Sequence, residues 1–139
     1  MKPKSNVLIV AGGEHVTALP EFSLYDCSDL DICVVGEGEH TFYEILEAKY
    51  NDIDFNEVSG ICFLDKSKQY ISTGKQDRIR KIDAIPWPYW PKGYLEKFWN
   101  AGKSYGVASK RDMPILGSRG CPYQCTFCSN SLMWTTRYI

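Results

Sequence analysis

The sequence predicts an α/β fold built on a parallel sheet. "NVLIVA", residues 6–11, and "DICVVG", residues 31–36, are short apolar runs that each end in glycine, the pattern of strands buried on both faces. Each is followed by a stretch that reads as helix, and the order strand–helix–strand–helix sets the two strands parallel. A third observation extends the domain. "SGICFLD" and "QYIST" flank "KSK" and read as a β-hairpin.

Between the two strands, "TALPEFSLYDCSDL" has room for a short helix starting near Pro20, a residue suited to a first turn. After the second strand, Phe42, Ile45, Leu46 and Lys49 fall at helical spacing, with Glu44 and Glu47 on other faces. Glu37 and Glu39 precede or open this helix, where the helix dipole favours negative charge. Further on, "IPWPYWPKGY" contains three prolines that forbid regular structure and four aromatics that offer surface to bury. It reads as a linker packed against a neighbouring surface. "MPILGS", 113–118, reads as a new apolar strand. The expected organisation is an α/β domain with hairpin over 1–75, a Pro/aromatic linker over 76–108, and the start of a second domain over 109–139. No internal repeat or low-complexity segment interrupts it.

Composition narrows the function. The chain has 139 residues, is 44% hydrophobic and carries a formal charge of −1, as expected of a soluble globular protein. Sixteen basic against seventeen acidic residues argue against nucleic acid as a partner, because phosphate contacts need clustered Lys and Arg. The basic run of Arg78, Arg80 and Lys81 reads as a solvated surface. No apolar run approaches the ~20 residues that span a bilayer, and the N-terminus is too short in apolar residues for a signal peptide. A cytoplasmic location is expected, where close cysteines bind metal more often than they form disulfides.

Two glycine loops follow the strands. "GEGEHT", 36–41, resembles a dinucleotide loop, but Thr41 stands at the third glycine position of G-x-G-x-x-G. A tight strand-to-helix turn and a ligand-touching loop both fit it. "GGEHVT", 12–17, lies at the carboxyl end of the other strand, the edge where open α/β sheets bind ligands. Gly12 and Gly13 would let a flat group approach the backbone. His15 reads as a hydrogen-bonding residue, with ligation of a metal or cofactor as the alternative.

The sharpest signal is "SRGCPYQCTFCSN", 118–130. Cys121, Cys125 and Cys128 form Cys-x3-Cys-x2-Cys, spacing that can bring three thiolates to one centre. Structural zinc normally takes four ligands, and iron–sulfur cubanes usually take four cysteines. Three leave one iron open, so the pattern implies a [4Fe–4S] cluster with one non-protein ligand. Structural zinc and an incidental cysteine-rich loop are the alternatives. Cys27, Cys33 and Cys62, scattered through apolar stretches, read as buried packing residues. No side chain is read as catalytic.

Cys121, Cys125, Phe127 and Cys128 together resemble the Cys-x3-Cys-x-aromatic-Cys signature of the radical S-adenosylmethionine superfamily. "GGEHVTALPE", "VVGEGEHTFYEIL", "IPWPYW" and "ILGSRGCPYQCTFCSN" occur in the order seen in its members with an N-terminal cobalamin-binding domain. The resemblance implies that the open iron chelates S-adenosylmethionine, which yields a 5′-deoxyadenosyl radical for methyl transfer or ring formation. It implies a flavodoxin-like (Rossmann-like) sheet, with Gly12 and Gly13 beside cobalamin and Gly36 and Gly38 on the same edge, or the same sheet with its cobalamin pocket lost. A (β/α) barrel would start at 113–118, the cluster loop on its carboxyl edge. Phe127 would shield the cluster near the adenine, or be an ordinary packing aromatic. An electron donor such as flavodoxin or ferredoxin is the implied partner. Two parallel strands and 11 residues after Cys128 are too few for either domain. The chain therefore reads as an internal fragment whose remaining partners are the flanking portions of a parent enzyme, and it is expected to be inactive alone because most cofactor contacts lie elsewhere. The alternative function is a small α/β metal-binding module that uses the Cys loop for structural zinc or electron transfer.

Overall fold

A computed structural model describes residues 7–104, 109 and 111–130. Asn6, where the first expected strand begins, residues 105–108 of the expected linker, and Lys110 and 131–139 of the expected second domain lie outside the described residues. The chain divides into two compact units, residues 1–80 with 119–139, and residues 81–118.

The first unit is an open four-stranded sheet in the order β1 (Val10–Ala11), β2 (Ile32–Val34), β3 (Ile61–Leu64), β4 (Tyr70–Ser72). β1 and β2 are parallel, with Val10 opposite Ile32. The hairpin joins the same sheet on the other side of β2, antiparallel, with Cys33 opposite Cys62 and Phe63 opposite Ile71. The sheet is therefore mixed: β3 returns antiparallel to β2 although a helix separates them in the chain, and a short turn then reverses the chain again into β4. The Asp65 carboxylate fixes that short turn by accepting the backbone N–H groups of Ser67 and Gln69 at 2.8 Å each.

β2 meets the expectation of burial on both faces, since all three of its residues are buried. Ile32 and Val34 join Ile45, Ala48, Val58 and Ile61 on one side. Cys33 points the other way, to Val16, Leu24 and Cys62, as the period of two in a strand requires. β1 does not match it. It lies at an edge of this sheet and is only half-buried. The crossover carries two short helices where one was expected: α1 (Glu14–Ala18) and α2 (Pro20–Asp26). Pro20 opens the second, and Leu19, forced out of the α region by the proline that follows, separates the two.

The long helix α3 (Glu39–Asn51) forms where expected but turned on its axis. Thr41, Ile45 and Ala48 face the sheet, while Phe42 and Leu46 are about half exposed. Ile45 and Ala48 thereby join the apolar cluster on that side of β2, and the larger Phe42 stays at its margin.

Of the three isolated cysteines, Cys33 and Cys62 are buried as expected, whereas Cys27 caps the end of α2 and is exposed. The Tyr70 hydroxyl donates to Cys62 Sγ at 3.0 Å. Burial, and then the neighbouring Cys62, push the Cys33 thiol up to about 11 from 9.0. Burial and the bond to Cys62 push Tyr70 up to about 12 from 10.0. Both groups stay neutral in the fold at pH values where the unfolded chain would ionise them. Their contribution to stability is complete below pH 9 and is lost as pH rises, through 9 to 11 for Cys33 and 10 to 12 for Tyr70. Urea midpoints should hold up to pH 9 and fall steeply above it, and Cys33→Ala should flatten the first part of the fall. A native midpoint constant to pH 11 would contradict this assignment.

In the second unit, a single 3-10 turn at Ile82–Ala84 precedes α4 (Tyr94–Asn100), a helix the sequence reading lacked. Trp90 packs on Tyr94 with ring centroids 5.9 Å apart. Trp99 donates through Nε1 to the Asp112 carbonyl at 2.7 Å, and the Arg111 guanidinium lies 4.7 Å from the centre of its ring. The linker aromatics were expected to be packed, yet Trp87 and Tyr89 are 93% and 86% exposed. Nor do residues 113–118 form a strand. Ile115 and Leu116 are exposed, and among the described residues no strand pairs with this segment. An extended run becomes a strand only when a neighbour takes up its backbone hydrogen bonds. Among the described residues no helix is long and apolar enough to cross a membrane.

Candidate cofactor site

The parallel pairing of β1 and β2 brings their carboxyl ends, and so the two glycine loops, to one edge. Val34 is the common landmark. A Cβ built at Gly12 would lie 3.8 Å from Val34 Cβ, and one at Gly38 would lie 3.6 Å from Val34 Cγ1. A further bond ties the loops together, from the Gly36 N–H to the Thr17 hydroxyl at 3.0 Å. Gly13 and Gly36 have φ of 109° and 86°, and nothing lies within 4 Å of where their side chains would project. The edge is thus bare backbone facing open space, the form that admits a flat group. The cavity beside it, lined by Gly36, Glu37, Gln76 and Arg78 among others, holds about 30 Å³, room for about one water. His15 lies exposed on α1.

The cysteine loop belongs to the same unit. Gly120, with φ of 89°, turns the chain into Cys121. A tight turn brings the Cys128 N–H to the Cys125 carbonyl at 3.1 Å, and Asn130 Nδ2 donates to the Cys121 carbonyl at 3.4 Å. All three thiols are free, Cys121 half-buried and Cys125 and Cys128 exposed. Phe127 at the tip of the turn is 92% exposed. Among the described residues, no three His, Cys, Asp or Glu side chains close on a single metal ion.

The loop is held by residues that sequence reasoning placed only as helix-opening charges. Glu37 is buried at the end of β2. Its Oε2 accepts the Ile79 backbone N–H at 2.7 Å and its Oε1 accepts Arg119 Nη1 at 3.2 Å. Arg119 Nη2 also donates to Glu39 Oε1. Burial disfavours the charged form of Glu39, but the bond and charge of Arg119, a backbone hydrogen bond and the nearby His40 together outweigh it and hold the carboxyl below its usual range. The available signal was an arginine two residues ahead of a cysteine loop together with two glutamates in a glycine turn. Sequence spacing could not join them across 80 residues.

No protein-family model matches the chain. Among curated proteins, it is 33% identical over 133 residues to an uncharacterized methyltransferase of Pyrococcus horikoshii, a match covering 96% of this chain and 27% of that protein. It is 30% identical over 130 residues to the cobalamin-dependent radical SAM methyltransferase TokK of Streptomyces tokunonensis, covering 88% of this chain and 18% of the relative. Its relatives are cobalamin-dependent radical S-adenosylmethionine methyltransferases and related methyltransferases and cyclases, and the chain matches one segment of them. Anaerobic magnesium-protoporphyrin IX monomethyl ester cyclases are also among its relatives, one from Cereibacter sphaeroides at 32% identity. The fold agrees. The cobalamin-dependent S-adenosylmethionine radical enzyme OxsB, solved with aqua-cobalamin and S-adenosylmethionine, superposes with a TM-score of 0.67 at 23% identity, over 91% of this chain and 16% of that one. The chain spans about a quarter or less of the length of the relatives it matches.

The donor set fits the cluster of such enzymes. Three free, soft thiols lie in one short loop. A cubane takes each on a different iron, so they need not meet at one point as a single metal ion would require.

Proposed function

We infer that this chain carries the cluster-binding loop of a radical S-adenosylmethionine enzyme together with part of its cobalamin-binding domain. The observation that carries the reading is the free Cys121, Cys125 and Cys128 triad on one loop. These residues would hold a [4Fe–4S] cluster, and Phe127, now exposed, would cover it. When bound, the cluster and S-adenosylmethionine supply the radical chemistry, and the protein contributes binding, orientation and exclusion of water. Methyl transfer and ring formation both occur among the names of the relatives, so the reaction class proposed is the radical-initiated step common to them. Anaerobic reconstitution with iron and sulfide tests the reading. About four irons per chain with visible charge-transfer absorbance support it, and zinc uptake without iron would favour the structural-metal module.

Cobalamin would meet the glycine edge. Gly13→Val is a poor probe, because φ of 109° at Gly13 strains any side chain. Gly12 has ordinary backbone geometry and its Cβ would make only a van der Waals contact. Gly12→Ala should therefore fold normally and weaken hydroxocobalamin binding by about tenfold, the scale of one methyl group forced into a packed contact. Equilibrium dialysis reads this directly. Equal binding by native and variant chains would remove Gly12 from the site.

A further inference from the structure

The loop that bears the cysteines has few anchors of its own, yet it starts at one of the most heavily engaged side chains of the unit. The Arg119 guanidinium is 12% exposed, lies two residues before Cys121, and spans both carboxylates of the "GEGE" turn. The Glu37 side chain is 6% exposed and uses one oxygen on Arg119 and the other on the Ile79 N–H. A buried carboxylate is stable only when such partners satisfy it. The glycine turn at the end of β2 is in this way bonded to two remote points of the chain, one at the end of the segment that follows the hairpin and one at the entrance to the cysteine loop.

We propose that Glu37 and Glu39 form a carboxylate clamp on Arg119 that positions the cysteine loop against the carboxyl edge of the sheet. The clamp rests on the functional reading for its purpose, but its geometry does not require a bound cluster. Glycine at 36 and 38 leaves the turn narrow enough for both acids to reach one guanidinium, and a planar fork with two donor edges suits that task where a lysine would not. The residues are positioning residues: none is placed on cofactor or substrate.

Trypsin reads the clamp directly, because it cleaves after Arg119 only when that side chain leaves the carboxylates. In the native chain, cleavage after Arg119 should lag well behind cleavage after exposed Lys92. Glu37→Gln keeps an oxygen for the Ile79 N–H but turns an amide donor toward Arg119. It should speed cleavage after Arg119 by roughly tenfold, the scale of one charge-assisted hydrogen bond, and leave hydrogen exchange at the buried Cys33 unchanged. General unfolding would accelerate both. Glu39→Gln alters a half-exposed residue that does not threaten the fold, and should give a smaller increase at the same bond. It decides the matter should Glu37→Gln fail to fold. Cleavage after Arg119 as fast as after Lys92 in the native chain, or unchanged in the folded variants, would overturn the clamp. With reconstituted protein, the electron paramagnetic resonance signal of the reduced cluster should shift in Glu37→Gln. Absence of any cluster in the native chain would defeat the functional reading while leaving the proteolysis result to judge the clamp.

Discussion

Replacing Cys121, Cys125 or Cys128 singly by Ala should remove nearly all of the cluster from the reconstituted chain, while Cys27→Ala should remove none. Each of the three thiolates would hold a different iron, so loss of one leaves an iron without a protein ligand, and these exposed or half-buried sites offer no replacement thiol in the same loop. The variants should keep the native melting temperature, because the three side chains contribute little buried surface and the turn bond from Cys128 to Cys125 is a backbone bond. Cys33→Ala and Cys62→Ala should show the opposite pattern, with cluster content retained and stability reduced. Iron and sulfide analysis beside thermal melts separates the two classes. Cluster loss from Cys33→Ala equal to that from Cys125→Ala, at matched folded fraction, would refute the ligand assignment.

Gly60→Ala should be the most destabilising single-methyl change in the first unit, at about 2–4 kcal/mol. Gly60 has φ of 78°, and its carbonyl accepts the Val35 N–H at 2.9 Å where β3 begins beside β2. A left-handed backbone costs a residue with a side chain about 1–2 kcal/mol. The added Cβ would also lie 2.8 Å from Gln76 Cβ and 3.2 Å from the Gln76 nitrogen, contacts that only a backbone shift can relieve. Gly74→Ala provides the control, since φ there is 89° but nothing lies within 4 Å of the new atom. Urea denaturation should place the Gly60 variant well below the Gly74 variant. Equal losses would show that the contact with Gln76 relaxes freely.

Much of the first unit could be read before any coordinates. β2, the hairpin, the helix that opens at Pro20 and the helix beginning at Glu39 announce themselves through apolar runs, turn residues and proline, all of which act within a few residues of chain. The three cysteines were legible for the same reason, because their chemistry follows from a spacing of three and two residues. Tertiary contact decided the rest. Which side of α3 faces the sheet is decided by the cluster that Ile45 and Ala48 complete with Ile32, Val34 and Ile61, residues remote from them in sequence. Residues 113–118 have a strand's composition but no strand beside them among the described residues, and Cys27 resembles Cys33 in sequence yet sits at an exposed helix end. The clamp on Arg119 joins residues 80 and 82 positions apart. Local pattern fixes which backbone states are favourable, but pairing, burial and ion contacts are made between distant residues, and only the folded chain brings those together.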